Sequence, residues 1–104
     1  RIQKVLSHIR KNIYKTVDID SLAAISCLSK DHFIRLFKKE VGTTPLQYIN
    51  QKKIEKAQLI LITEDIPVKN IAYLLAYEDH SYFNRLFKKI TDVTPQQYRE
   101  LYKK

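Results

Sequence analysis

Two groups of side chains, set fifty residues apart in a chain of 104, have the types and the spacing for hydrogen-bonded recognition of nucleic-acid bases. The first is Lys30, Asp31, Ile34 and Arg35; the second is His80, Ser81, Asn84 and Arg85. At 100° per residue each group falls on one side of a helix, and Lys38 and Lys39, or Lys88 and Lys89, extend it toward the C-terminus. A guanidinium fork matches O6 and N7 of guanine, a carboxamide matches adenine, and a bare aliphatic matches the thymine methyl. On that chemistry Arg35 and Arg85 grip guanine, Asn84 pairs with adenine and Ile34 meets thymine. The plainer roles are phosphate contacts or surface ion pairs for the arginines and an ordinary exposed aliphatic for Ile34. Asp31 repels phosphate, so it either accepts from a cytosine amino group or orients Arg35 at i+4. The four lysines suit phosphate, as do backbone N–H groups at helices starting from Thr44 and Thr94.

Other chemistries find little support. His8, His32 and His80 lack metal-ligand spacing, so no zinc site is expected. No Ser/His/Asp grouping, paired carboxylates or glycine-rich phosphate loop stands out, and neither catalysis nor a cofactor is expected. Cys27 is solitary, which rules out an intrachain disulfide, suits a reducing interior and reads as a small buried residue.

The elements that must position these groups are written twice. Phe33, Arg35, Leu36, Phe37, Lys38, Lys39, Thr44, Pro45, Gln47 and Tyr48 recur as Phe83, Arg85, Leu86, Phe87, Lys88, Lys89, Thr94, Pro95, Gln97 and Tyr98, an internal repeat. Phe33, Leu36, Phe37 and Val41 make one apolar face, and Phe83, Leu86, Phe87 and Ile90 another, leaving the basic groups opposite. Thr44-Pro45-Leu46-Gln47 and Thr94-Pro95-Gln96-Gln97 each read as a capping box with proline at the first helical position. Around these copies the spacing predicts seven helices and an all-α fold. The first spans about 2–13, the second runs from Ser21 to about Cys27 capped by Asp18 or Asp20, and the third is capped by Ser29 and stopped by Gly42. A fourth runs from Thr44 to about Thr63, roughly 30 Å at 1.5 Å per residue. After Glu64-Asp65-Ile66-Pro67 a fifth is marked by Val68, Ile71, Ala72 and Leu75, a sixth is capped by Asp79, and a seventh spans Pro95 to about Tyr102. In the last, Tyr98 and Leu101 are expected inward, with Lys103 and Lys104 fraying. A short helix, a tight turn and a helix with a basic outer face form a helix-turn-helix, here the second and third helices and again at 67–90.

Composition agrees. The formal charge of +8 calls for an anionic partner, and no apolar run is long enough to span a bilayer, which puts nucleic acid ahead of membrane. A basic helical module that binds an acidic protein is the alternative of a different class. Arg1 in place of Met points to excision from something longer, with a complete one-domain regulator as the rival.

With Leu22-Ala23, Ser29, Gly42, Ala57, Ile71-Ala72, Ser81-Tyr82-Phe83 and both repeat copies in view, the chain resembles the tandem helix-turn-helix DNA-binding domain of AraC/XylS transcription regulators. The resemblance covers essentially the whole chain. It implies two subdomains, about 1–43 and 64–104, joined by a linker helix at 44–63, within a single DNA-binding domain over 1–104. It further implies double-stranded promoter DNA as partner, RNA polymerase as a second partner, and a sensing or dimerisation region N-terminal to this one. An activator in the bacterial cytoplasm, at the nucleoid, is the expected setting. Three positions depart from the family pattern. Ala76-Tyr77 replaces a usual Gly-Phe, Asp92 stands where glycine is usual, and Lys53 replaces an arginine of structural role, so no DNA contact is carried onto Lys53.

Overall fold

A computed structural model describes residues 1–103 and shows seven helices, with no strand among the described residues. They are α1 (Ile2–Lys11), α2 (Ile19–Ser26), α3 (Lys30–Val41), α4 (Pro45–Thr63), α5 (Val68–Leu74), α6 (His80–Thr91) and α7 (Pro95–Tyr102). The chain divides into two compact units, Arg1–Lys52 and Lys53–Lys104, with the division inside α4.

In the first unit, Val5 and Ile9 of α1, Leu22 and Ala23 of α2, Phe33 and Phe37 of α3 and Ile49 of α4 form one buried cluster. The two phenylalanine rings meet edge-on at 5.8 Å, and Tyr48 lies 5.7 Å from Phe37. The second unit repeats the device with Ile54, Ala57 and Leu61, Ile71 and Ala72, and Phe83 and Phe87. Its rings continue from Tyr77 through Phe83 and Phe87 to Tyr98, at 5.5, 6.0 and 5.6 Å. Full burial of each such side chain contributes about 1.5–3 kcal/mol, so each pair of phenylalanines anchors its helix firmly to its own unit.

The helix ends follow the side chains placed at them. Asp18, not Asp20, caps α2 by accepting from the Ser21 amide at 2.7 Å. Ser29 accepts from the His32 amide, and Asp79 from the Ser81 amide. Both capping boxes form: Thr44 N donates to Gln47 Oε1 at 3.1 Å and Gln47 N to Thr44 Oγ1 at 3.2 Å, with 2.9 and 3.1 Å for Thr94 and Gln97. Gly42 and Asp92 end α3 and α6 in the left-handed region, at φ 98° and 71°.

The two turns are built alike. Cys27 and Ala76 are both left-handed, at φ 60° and 67°. Leu28 N then donates to Ala23 O, and Tyr77 N to Ala72 O. The repeat offset is 49 up to this point and 50 after it, because Glu78 is an extra residue between buried Tyr77 and the cap Asp79.

Four expectations need correction. Cys27 is exposed rather than buried, because a left-handed residue at the end of α2 turns its Cβ outward. Ile90 is 42% exposed: its counterpart is Glu40, and the inward register falls instead to Thr91, whose hydroxyl donates to Phe87 O at 2.8 Å. Leu101 is 64% exposed, because Pro95, Tyr98 and Arg99 set the inner side of α7 and Leu101 lies about 120° away from it. Lys103 does not fray; its ammonium donates to Glu64 O at 2.6 Å and pairs with Asp65. Lys104 lies outside the described residues.

Candidate nucleic-acid interface

The outward side of α3 is held by the burial of Phe33 and Phe37 behind it, and that of α6 by Phe83 and Phe87. Lys30, Asp31, Arg35, Lys38 and Lys39 are all exposed on the first helix, and Ser81, Arg85, Lys88 and Lys89 on the second. Five expected contact residues sit deeper. Ile34 is half-buried and packs against the core of its unit, so only part of it faces outward. Asn84, at the same register in α6, is half-buried too, and its Oδ1 is enclosed without a hydrogen-bond partner among the described residues. His80 is half-buried with its ring edge-on to Tyr73, at 6.4 Å. Thr44 and Thr94 are half-buried and occupied by their capping boxes.

No ion pair joins Asp31 to Arg35 among the described residues, so Asp31 does not hold that guanidinium in the free protein. Lys30 lies 3.7 Å from Asp20, with both side chains mostly in solvent, a contact too screened to immobilise it. Around Thr44 the capping box takes the Thr44 and Gln47 amides and Pro45 has none. The first-turn N–H left to an outside acceptor is that of Leu46, and at α7 that of Gln96.

The two units differ in charge. Arg1–Lys52 holds ten Lys and Arg against four Asp and Glu, and Lys53–Lys104 nine against seven. Among the described residues of the second unit, at least three basic side chains donate to backbone carbonyls of the fold. Lys53, 5% exposed, donates from Nζ to Leu75 O at 2.7 Å. Arg99 donates to the carbonyls of Leu61, Glu64 and Ile66, closing the end of α4 and the loop after it. Lys103 is the third. The excess of positive charge is therefore larger on the first unit.

Sequence reasoning passed over Tyr82, which is 43% exposed beside Ser81 on α6, with its ring 6.1 Å from that of Tyr77. An aromatic one position before the buried Phe83 was the available signal. Among the described residues no group of three or more His, Cys, Asp and Glu could hold a metal ion, and no helix is long and apolar enough to cross a membrane.

Two capped helix-turn-helix units, each with a basic reading helix, define a DNA-binding fold of the kind used by transcription regulators. The chain belongs to the AraC family of these regulators, as their DNA-binding domain: the family pattern described as a helix-turn-helix domain matches residues 22–101. It is 34% identical over 94 residues to the MmsAB operon regulatory protein of Pseudomonas aeruginosa, covering 90% of this chain and 31% of that protein. It is 31% identical over 98 residues to the xylose operon regulatory protein of Escherichia coli, covering 94% and 25%. The chain thus spans between a quarter and a third of these relatives. Among solved structures, the C-terminal domain of the two-component response regulator yesN from Fusobacterium nucleatum superposes with a TM-score of 0.88 at 32% identity, covering 93% of this chain and 95% of that one. The DNA-binding domain of AdpA, in complex with a target DNA, shares the fold with a TM-score of 0.90 at 24% identity, covering 95% and 89%.

Proposed function

We propose that this chain binds double-stranded promoter DNA sequence-specifically as part of a bacterial transcription regulator, with α3 and α6 entering successive major grooves. The observation that carries the reading is the repeat itself: Arg35 and Arg85 stand exposed at the same register of two capped helices, each fixed from behind by a buried phenylalanine pair. A guanidinium so placed reads guanine O6 and N7, while Lys30, Asp31 and Ser81 work at the helix starts. Lys38, Lys39, Lys88 and Lys89 contact phosphate, joined by the Leu46 and Gln96 amides at the starts of α4 and α7. Ile34 offers a thymine methyl the part of its side chain that packing leaves free, and His80 stands beside Tyr73 at the edge of the contact.

Because the two reading helices differ in sequence, the site has a direction, and each unit reads its own block about one helical turn from the other. The xylose and arabinose operon regulators among the relatives support assignment to an operon regulator, here an activator working with RNA polymerase at the nucleoid. A sensing or dimerisation region N-terminal to this one completes the proposed protein. Arg35→Ala and Arg85→Ala should each relax preference in a different block, at about 1–3 kcal/mol apiece. Uniform weakening on every duplex by both substitutions would refute base reading by these arginines.

A further inference from the structure

Half of the first unit's ten basic residues stand away from its reading helix: Arg1, Lys4, Arg10, Lys11 and Lys15 all precede α2, and no acidic residue occurs before Asp18. Lys4, Ser7, His8 and Lys11 of α1 line one groove of about 350 Å³ with Ile25 of α2. Its rim is cationic and its floor apolar. Lys4 and Lys11 are exposed and form no ion pair among the described residues, whereas Ile25 is half-buried and packs against the core. Ile25 lies about 140° round α2 from Asp20, whose carboxylate is 3.7 Å from Lys30 at the start of α3. The groove therefore opens on the side of α2 turned from Lys30. The fold does not require charge there. In the second unit α4 takes the part of α1, with Ile54, Ala57 and Leu61 in the buried places of Ile2, Val5 and Ile9. The groove register then reads Lys56, Leu59, Ile60 and Thr63, with Leu74 in the place of Ile25, so the same surface is mostly aliphatic.

We infer that the groove between α1 and α2 docks an acidic segment of a partner protein, in which two carboxylates flank one apolar side chain. Lys4 and Lys11 stand two turns apart, about 10 Å along the axis of α1. An extended segment with acids four positions apart spans about 13 Å and turns the side chain midway to the same face. Its carboxylates meet the two ammonium groups, and its apolar side chain lies on Ile25 and the lysine stems. A phosphate has the charge for the rim and nothing for the floor, which favours a protein segment over a nucleic-acid backbone.

The test titrates a blocked peptide, with two glutamates four positions apart, leucine midway and serine elsewhere, into the isotope-labelled chain at physiological salt, alone and again with saturating duplex. Amide shifts should centre on Ser7, His8 and Ile25. The duplex should change peptide affinity by less than about 3-fold, because charges on the far side are screened beyond roughly 8 Å. Lys4→Gln combined with Lys11→Gln should weaken the peptide roughly 10-fold and leave duplex affinity within about 2-fold. Serine in place of the peptide's leucine should weaken it by roughly 10-fold as well. Shifts centred on Arg35 and Lys38, or a peptide indifferent to the loss of leucine, would show attraction by charge alone and overturn the inference. Displacement by duplex, or by inorganic phosphate at the peptide's own concentration, overturns it too. So does a double variant that loses duplex affinity, which assigns the groove to DNA.

Discussion

Lys53 Nζ donates to the carbonyl of Leu75 at 2.7 Å, so a side chain of α4 ties down the residue just before left-handed Ala76. The ammonium also lies 5.8 Å from the centre of the Tyr77 ring, which it approaches over the face. The turn that launches α6, and with it Arg85, is thereby pinned from behind. Burial pushes the Lys53 ammonium down to about 8 and raises the Tyr77 phenol above its ordinary range, with Tyr82 adding to the latter.

A pH dependence follows from that lysine. In the unfolded chain Lys53 titrates near its ordinary value of about 10.4, and in the folded chain at about 8, because burial disfavours the charged form. Between those values the unfolded state binds more protons, so stability rises with pH through that window. Below about pH 8 the lysine is charged in both states and the desolvation penalty is fully present. Denaturant unfolding at pH 7 and pH 10 should show the natural chain gaining relative to Lys53→Met; an equal gain in both would contradict the assignment.

Ala76 occupies φ 67°, where its Cβ is crowded by its own backbone. Ala76→Gly should therefore stabilise the second unit by about 1 kcal/mol, read as a higher urea midpoint at unchanged slope. A lower midpoint would mean that the alanine methyl makes packing contacts that outweigh the strain.

Arg99 supplies N–H donors to three carbonyls, Leu61, Glu64 and Ile66, that the end of α4 and its loop leave unpaired. Arg99→Ala should cost roughly 2–3 kcal/mol in equilibrium unfolding. Arg99→Lys should recover only part of it, because one ammonium cannot reproduce the planar fork. Full recovery by lysine would show that charge alone matters there.

Much of this was legible in the sequence because its signals are local and occur twice. The phenylalanine pairs, the Thr-Pro boxes and the caps Ser29 and Asp79 each declare an element within a few residues, and the repeat places the outward strips. What escaped depends on contacts distant in sequence. Arg99 and Leu61 are 38 residues apart, and Lys53 and Leu75 are 22 apart, so no periodicity reports them. Cys27 was misjudged because burial statistics for cysteine say nothing about a left-handed helix end. Ile90 misled because the apolar spacing within α6 alone ignores the repeat: its counterpart is exposed Glu40, and the inward position falls one residue later, at half-buried Thr91.

Lys39 is assigned to phosphate, since it stands late on α3, away from the helix start that meets base edges. Lys39→Ala should lower the slope of log affinity against log salt by about 1 and leave the preferred sequence as it was. A changed sequence preference would move Lys39 into base reading.

Selection of bound duplexes from a random pool at physiological salt, by this chain alone, tests the central claim most directly. Tandem reading predicts one enriched, directional motif of two blocks about one helical turn apart, the first lost with Arg35→Ala and the second with Arg85→Ala. A pool that emerges without enrichment, while the chain still binds duplexes in a salt-dependent way, would contradict sequence-specific recognition and leave only a basic surface that attracts phosphate.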